Sequence, residues 1–359
     1  MTKLVAETDI LLADPEALVG PVCEHLVEHG ASLDRDGDAW VLTWPQARAR
    51  LSARSGRLSA FAEAEDREAL YLLRLGIASH VVEFAGEPAP TIVWSGDGGD
   101  LVTPPNFRMA TVVAARSLTP HMRRVTLTGE DFTRFMTDDA LHVKLIVPKA
   151  PGAPLQTPTV GPDGLVIWSR DEPTSVRRTY TIRSFDRERS TVDIDFVLHE
   201  EPGPGAAWAL AAAPGDKVGI MGPGGGGAPS ADWMLLAGDE TALPAISRIL
   251  EGASAETRGT AIIEVADPGE EQPLTRPAGV ELMWLHRKAC AETDRETLVE
   301  AVKSVERPRN VKSVFLWAGA EFDTFKALRA HARKTLQFGK KEHLVVAYWR
   351  LGQTEIGKA

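Results

Sequence analysis

The chain has 359 residues, 43% apolar and 6% aromatic, with 50 acidic against 40 basic side chains and a formal charge of -10. That length calls for two or three domains, each able to bury its own core. No apolar run approaches the ~18 residues of a membrane span, and an acidic balance disfavours nucleic acid, whose phosphates want a basic stripe. The apolar stretch Leu4 to Leu12 is cut by Glu7 and Asp9, so it does not read as a signal peptide and a cytoplasmic protein is expected. Cys23 and Cys290 are too few and too scattered for a disulfide framework, a thiolate zinc site or an iron-sulfur cluster. No Cys/His cluster stands out, so no metal ligands are expected, and redox chemistry would fall to an organic cofactor.

In chain order, residues 1–86 read as a small α+β domain. Asp14 to His29 is predicted as a helix with Pro15 in its first turn. Trp40 to Trp44, Ala49 to Ala53 and Leu58 to Ala62 alternate like short strands, and Asp66 is placed to cap a helix running through Phe84. The excess negative charge lies in the first hundred residues. Residues 87–106, with Pro88, Pro90, Pro104, Pro105 and the run Ser95-Gly96-Asp97-Gly98-Gly99-Asp100, read as a linker. Over 107–229 short β-rich runs predict an antiparallel barrel: Ala110 to Ala115, Arg123 to Thr128, His142 to Val147, Arg178 to Arg183 and Val192 to His199. Over 230–359 continuous apolar runs alternate with helical stretches near Ala242 to Leu250, Asp294 to Lys303 and Glu321 to Lys334, which predicts an α/β domain with a parallel sheet covered on both faces. Gly224 to Gly227, followed by Ala228-Pro229-Ser230, reads as a hinge between the last two domains rather than a phosphate nest.

The hexapeptide Arg178-Thr179-Tyr180-Thr181-Ile182-Arg183 carries the sharpest chemical signal. A flavin site needs a cation for the pyrophosphate, a flat ring against the isoalloxazine and a short hydroxyl near N5, and one strand here offers all three. An edge strand with surface arginines would use the same residues. Gly203-Pro204-Gly205 lets backbone approach phosphates before a helix begins, or is merely a sharp turn. Gly238-Asp239-Glu240-Thr241-Ala242-Leu243-Pro244 ends the first apolar strand of the α/β domain, where dinucleotides gather. It departs from Gly-x-Gly-x-x-Gly, and Asp239 and Glu240 put negative charge there, which suits the nicotinamide end of the molecule. Thr241 is the expected contact, with N-capping as its alternative.

Taken with Asp195-Phe196-Val197-Leu198-His199, Gly203 to Trp208, Pro214-Gly215-Asp216, Gly222-Pro223-Gly224-Gly225, Leu236 to Ala245, Trp284-Leu285-His286-Arg287 and Tyr348-Trp349-Arg350, the ordered pattern over roughly residues 107–352 resembles the siderophore-interacting proteins. These are ferric-siderophore reductases of the ferredoxin-reductase-like superfamily. The resemblance implies that Arg178, Tyr180 and Thr181 bind FAD, with Tyr180 packed on the ring and Thr181 near N5, the two candidate catalytic residues. It extends the cofactor set to Arg183, His199, Gly205, Ala206, Trp208, Thr241 and Trp349. His142 and Lys144 share one strand face and are expected near flavin or substrate. His286, Arg287 and Lys288 follow a buried strand, where a cationic cluster could receive an anionic iron chelate together with Arg350. Leu351 stands where the family often has a second basic residue. Residues 1–86 also resemble a small bacterial domain of unknown function fused ahead of such reductases.

The expectation is therefore an α+β domain, an antiparallel β-barrel FAD domain and an α/β nicotinamide-binding-like domain, acting as an NAD(P)H-dependent ferric-siderophore reductase with FAD as cofactor and NADPH or NADH as donor. The alternatives are a general flavin reductase or diaphorase, and a non-catalytic siderophore carrier. The siderophore, the choice of donor and the oligomeric state stay open at this point.

Overall fold

A computed structural model of the chain describes residues 2–150, 152–168, 173–199, 201–287, 297–308 and 310–353. The first strand, β1 (Leu4–Leu11), is the apolar stretch near the start: Ala6, Thr8 and Ile10 point inward while Glu7 and Asp9 point out. The charges that break an apolar run are what a half-buried strand requires on its wet face. It is followed by α1 (Pro15–Glu28), β2 (Ser32–Asp36), β3 (Ala39–Trp44), β4 (Ala47–Arg54), β5 (Arg57–Ala64), α2 (Arg67–Ala85) and the short β6 (Ser95–Gly96). The strands form one antiparallel sheet in the order β2-β3-β4-β5-β1-β6. Asp14 and Asp66 cap the helices, their carboxylates accepting from Ala17 N and from Glu68 N and Ala69 N. Val22, Cys23 and Leu26 of α1 and Leu70, Leu73 and Ile77 of α2 bury Ile10, Leu42, Leu51 and Leu58 of the sheet.

Residues 87–106 contribute Ile92 and Trp94 to that core, and the Asp97 carboxylate accepts from Val5 N at 2.8 Å. The hairpin of β10 (Thr159–Val160) and β11 (Val166–Ile167) belongs to the same unit, with Trp94 Nε1 donating to the Asp163 carbonyl at 2.9 Å. This first compact unit spans Met1–Phe107 and Gln156–Pro173; Arg108–Leu155 and Thr174–Ala359 form the second.

The second unit begins with a closed barrel of β7 (Phe107–Thr119), β8 (Met122–Gly129), β9 (His142–Pro148), β12 (Ser175–Asp186), β13 (Thr191–Val197) and β14 (Lys217–Gly224), ordered β12-β13-β8-β7-β14-β9. Val125, Leu127, Val143, Leu145, Ile194, Phe196 and Ile220 fill it, and α3 (Pro204–Ala211) packs against it. Strand β14 escapes a reading by composition because its glycines and Pro223 resemble a turn; it pairs with β9 through a register shift between Met221 and Gly224. The glycines that follow are not a free hinge. A Cβ on Gly225 would lie 2.6 Å from His142 Nδ1 and one on Gly227 2.5 Å from the Asp138 carbonyl oxygen, while Leu141 N donates to Gly226 O at 3.0 Å. Close backbone approach around His142 is what demands glycine there.

The parallel sheet consists of β15 (Trp233–Asp239), β16 (Arg258–Val265), β17 (Gly279–His286), β18 (Val314–Glu321) and β19 (His343–Trp349), ordered β17-β16-β15-β18-β19. Helices α4 (Leu243–Gly252), α5 (Leu298–Ser304) and α6 (Phe322–Ala330) connect the strands, and a π-helical turn, His331–Thr335, follows α6. Every residue of the central β15 is buried, as a strand covered on both faces must be. Met122 and Leu141 of the barrel region join Leu236, Ile246 and Ile263 in one apolar cluster, so barrel and sheet share a seam. No helix among the described residues is long and apolar enough to cross a membrane.

Candidate active site

Strand β12 pairs with β9 so that Arg178 lies opposite Leu145, Tyr180 opposite Val143 and Thr181 opposite His142. Cross-strand partners point to the same side. Arg178 and Tyr180 therefore share the face of the barrel core, and Thr179 and Thr181 share the face of Lys144 and His142. The Tyr180 ring packs 4.4 Å from Phe196, which lies 5.6 Å from Trp208 of α3. A Cβ on Gly205 would fall 2.1 Å from Tyr180 Oη and 3.6 Å from Arg178 Cγ, so the first turn of α3 closes directly on this strand and only glycine permits it. Gly203 at the N-cap supplies no side-chain hydrogen bond and Pro204 follows it. The Gly205 and Ala206 amides thus sit at the positive end of the helix beside the Arg178 side chain, a corner suited to a diphosphate. Burial pushes the Tyr180 phenol up to about 12, with Arg178 working against it, so it stays protonated at neutral pH.

On the other face Thr181 is 5% exposed and its Oγ1 is buried without a hydrogen-bond partner among the described residues. Such an orphan costs about 1–3 kcal/mol unless a ligand atom meets it. Beside it, His142 Nε2 lies 2.7 Å from the Tyr348 hydroxyl of β19. Burial lowers His142 to about 4, and Arg248 adds to the effect, so the imidazole is neutral. Burial drives the Tyr348 phenol above its ordinary range.

At the carboxyl edge of the parallel sheet Asp239 is 4% exposed. Its carboxylate accepts from Thr241 N at 2.9 Å, from Thr241 Oγ1 and from Trp349 Nε1 at 2.8 Å. Burial raises it to about 6 with Glu240 contributing, while these donors hold it down. Thr241 is thus not the cap of α4, whose N-cap position is Ala242; its hydroxyl orders Asp239 and, through it, Trp349. A carboxyl raised on folding adds stability below its unfolded value of ~3.9 and loses it as pH climbs through about 6. Thermal melts should show the parent gaining on Asp239→Asn as pH falls from about 7.5 to about 4.5. A gap independent of pH would mean that the carboxyl titrates normally.

The remaining predicted residues are placed as follows. Arg183 forms a two-pronged ion pair with Glu251 of α4, at 2.9 and 2.6 Å, and so ties β12 to α4. His199 is exposed beyond β13. Arg287 pairs with Glu240 and, at 3.5 Å, with Glu264, and His286 lies 2.8 Å from Glu271. Both candidate landing side chains therefore already face carboxylates. Lys288 lies outside the described residues, and Arg350 stacks 4.6 Å over the Phe322 ring.

One residue escaped the sequence reading. Arg248 of α4 is 7% exposed and donates to the Ile182 carbonyl at 3.1 Å, the Thr137 carbonyl at 2.8 Å and the Asp138 carboxylate at 2.7 Å. It holds the strand segment next to Thr181 against the α/β layer. Its signal was a lone charge inside the run Leu243 to Leu250, apolar but for Ser247.

Comparison with known proteins matches residues 111–227 to the siderophore-interacting FAD-binding domain and residues 231–352 to the siderophore-interacting protein model. The ferric vibriobactin reductase ViuB of Vibrio cholerae is 32% identical over 251 residues, covering 69% of this chain and 91% of that protein. The chain belongs to the siderophore-interacting protein family. A siderophore utilization protein from T. fusca shares its fold, with a TM-score of 0.63 at 38% identity over 70% of this chain and 95% of that one. The NADPH-dependent ferric-chelate reductase of Escherichia coli is 29% identical, covering 68% and 92%. Residues 7–95 match a separate family conserved in bacteria, DUF2218. The barrel is thus the family's FAD-binding domain, and its residues fit that group: a cationic, amide-lined corner on one side of β12 and an unsatisfied buried hydroxyl on the other.

Proposed function

We propose that the chain is an FAD-dependent oxidoreductase that takes a hydride from NAD(P)H and reduces iron(III) held by a siderophore, releasing iron(II). The observation that carries this is the closure of the uncapped α3 turn on Arg178 and Tyr180 in a barrel whose relatives are named ferric reductases. When bound, the flavin supplies the exchange between a two-electron donor and a one-electron acceptor. The chain supplies the positioning. Arg178 and the Gly205 and Ala206 amides would hold the pyrophosphate, and Tyr180, kept neutral, would flank the ring without adding charge. Thr181 Oγ1 would donate or accept one hydrogen bond at the ring edge. The neutral His142–Tyr348 pair closes that side without placing a second cation there. Asp239, Thr241 and Trp349 order the sheet edge where the nicotinamide would approach.

Iron(II) is softer and less charged than iron(III), so hard oxygen ligands release it. In this reading an anionic chelate approaches exposed Arg350, and engages His286 and Arg287 only by displacing Glu271 and Glu240. NAD(P)H oxidation assays with ferric catecholate, hydroxamate and citrate chelates, read with an iron(II) trap, test the reading. Chelate reduction well above that by free reduced flavin is expected. Equal rates would leave a general flavin reductase, and colourless protein that takes up no FAD would overturn the flavin assignment itself.

A further inference from the structure

The first unit carries a histidine cluster that the flavin site does not use. His25 lies in the last turn of α1 and His29 is that helix's C-cap, one turn on; His80 lies in the last two turns of α2. The three ring centroids form a nearly equilateral triangle of 5.0 Å (His25–His29), 4.9 Å (His25–His80) and 5.0 Å (His29–His80). One nitrogen from each ring lies within 4.8 Å of the others. His25 Nε2 and His29 Nε2 are 3.3 Å apart, close to the ~3.4 Å between two nitrogens bound tetrahedrally to one cation at ~2.1 Å.

The third ring is already oriented. His80 Nδ1 lies 2.6 Å from the Gly76 carbonyl oxygen, and a carbonyl can only accept, so Nδ1 carries the proton and Nε2 keeps the lone pair of the neutral ring. A histidine that donates its other N–H to a backbone carbonyl is the usual outer support of a metal ligand. His25 and His29 lie at the partially negative C-terminal end of α1. His29 is exposed and His25 and His80 are half-buried, which leaves a path of entry.

We propose that His25, His29 and His80 bind one divalent first-row transition-metal cation, with a fourth position open to water or another ligand. Three neutral imidazoles without a thiolate select cations of intermediate softness, from iron(II) to zinc, over magnesium or calcium. Iron(II) falls in this class, but the site is independent of the reductase reading and would stand if that reading failed. The expectation of no metal ligands missed it because His80 is far from His25 and His29 in sequence and only the packing of α1 on α2 joins them.

The test is a titration of the metal-stripped full chain with Co²⁺ alone, read at wavelengths beyond the flavin bands, followed by Zn²⁺ displacement and calorimetry. About one cation per chain in a four-coordinate Co²⁺ spectrum is expected. His80→Ala and His25→Ala should weaken binding by at least about 100-fold, the upper end of second-shell effects. His29→Gln, at an exposed position, guards against misfolding and should do likewise. Zn²⁺ should raise the melting temperature of the parent but of none of the variants. No saturable binding below ~1 mM by the parent, or equal binding by parent and all three variants, would overturn the site.

Discussion

Arg178→Ala is expected to purify with little FAD and to rebind it about 10- to 150-fold more weakly, the equivalent of losing a charge-assisted hydrogen bond of about 1.5–3 kcal/mol. The expectation rests on the position of Arg178 against the first turn of α3, its Cγ 3.6 Å from where a Cβ on Gly205 would stand, with its Nη1 donating to the Arg177 carbonyl at 2.7 Å. Helix amides supply partial charge, and the guanidinium supplies a full charge with two parallel donors. Arg178→Lys should recover part of the affinity, because charge returns without the forked geometry. Absorbance of the bound flavin after gel filtration, together with fluorescence titration of added FAD, checks both variants. Full occupancy in Arg178→Ala would remove the residue from the site.

Arg248→Ala is expected to lower the unfolding free energy by about 1–3 kcal/mol, since it leaves the buried Ile182 carbonyl and the part-buried Thr137 carbonyl without their donor, while the exposed Asp138 carboxylate is taken up by water. Its functional signature should differ from that of Arg178. The flavin would still bind, but β12 beside Thr181 would no longer be held against α4, so kcat should fall more than KM rises for NAD(P)H. Arg183 and Glu251 supply a second tie along the same seam, which is why the variant should still fold. Urea unfolding and steady-state kinetics on the same preparation separate the two effects. An unchanged kcat in a destabilised variant would reduce Arg248 to a purely structural role.

Local signals carried much of the architecture. Asp66 caps the helix it was read to cap, and Asp14, read as the first residue of its helix, is that helix's cap, because capping involves residues two or three positions apart. The apolar runs of the parallel sheet reappear as β15 to β19 with small shifts at their ends. Local reading failed where composition and geometry part company. β14 carries Gly222 at a positive φ beside the His142 carbonyl, where its register against β9 shifts between Met221 and Gly224. Glu7 and Asp9 marked a strand where they were taken only as interruptions of an apolar run.

By itself, the order of motifs from Arg178 to Trp349 determined the family, the FAD-binding barrel and the parallel-sheet layer, since each motif is a short segment whose chemistry is written in adjacent residues. Tertiary structure alone decided which charges are engaged. Arg287 meets Glu240 and Glu264, Arg183 meets Glu251, Trp349 meets Asp239, and three histidines from two helices converge. The physical reason is common to all four. A side chain's charge state and availability depend on what lies within a few ångströms of it, and folding brings those neighbours from parts of the chain that no local pattern connects.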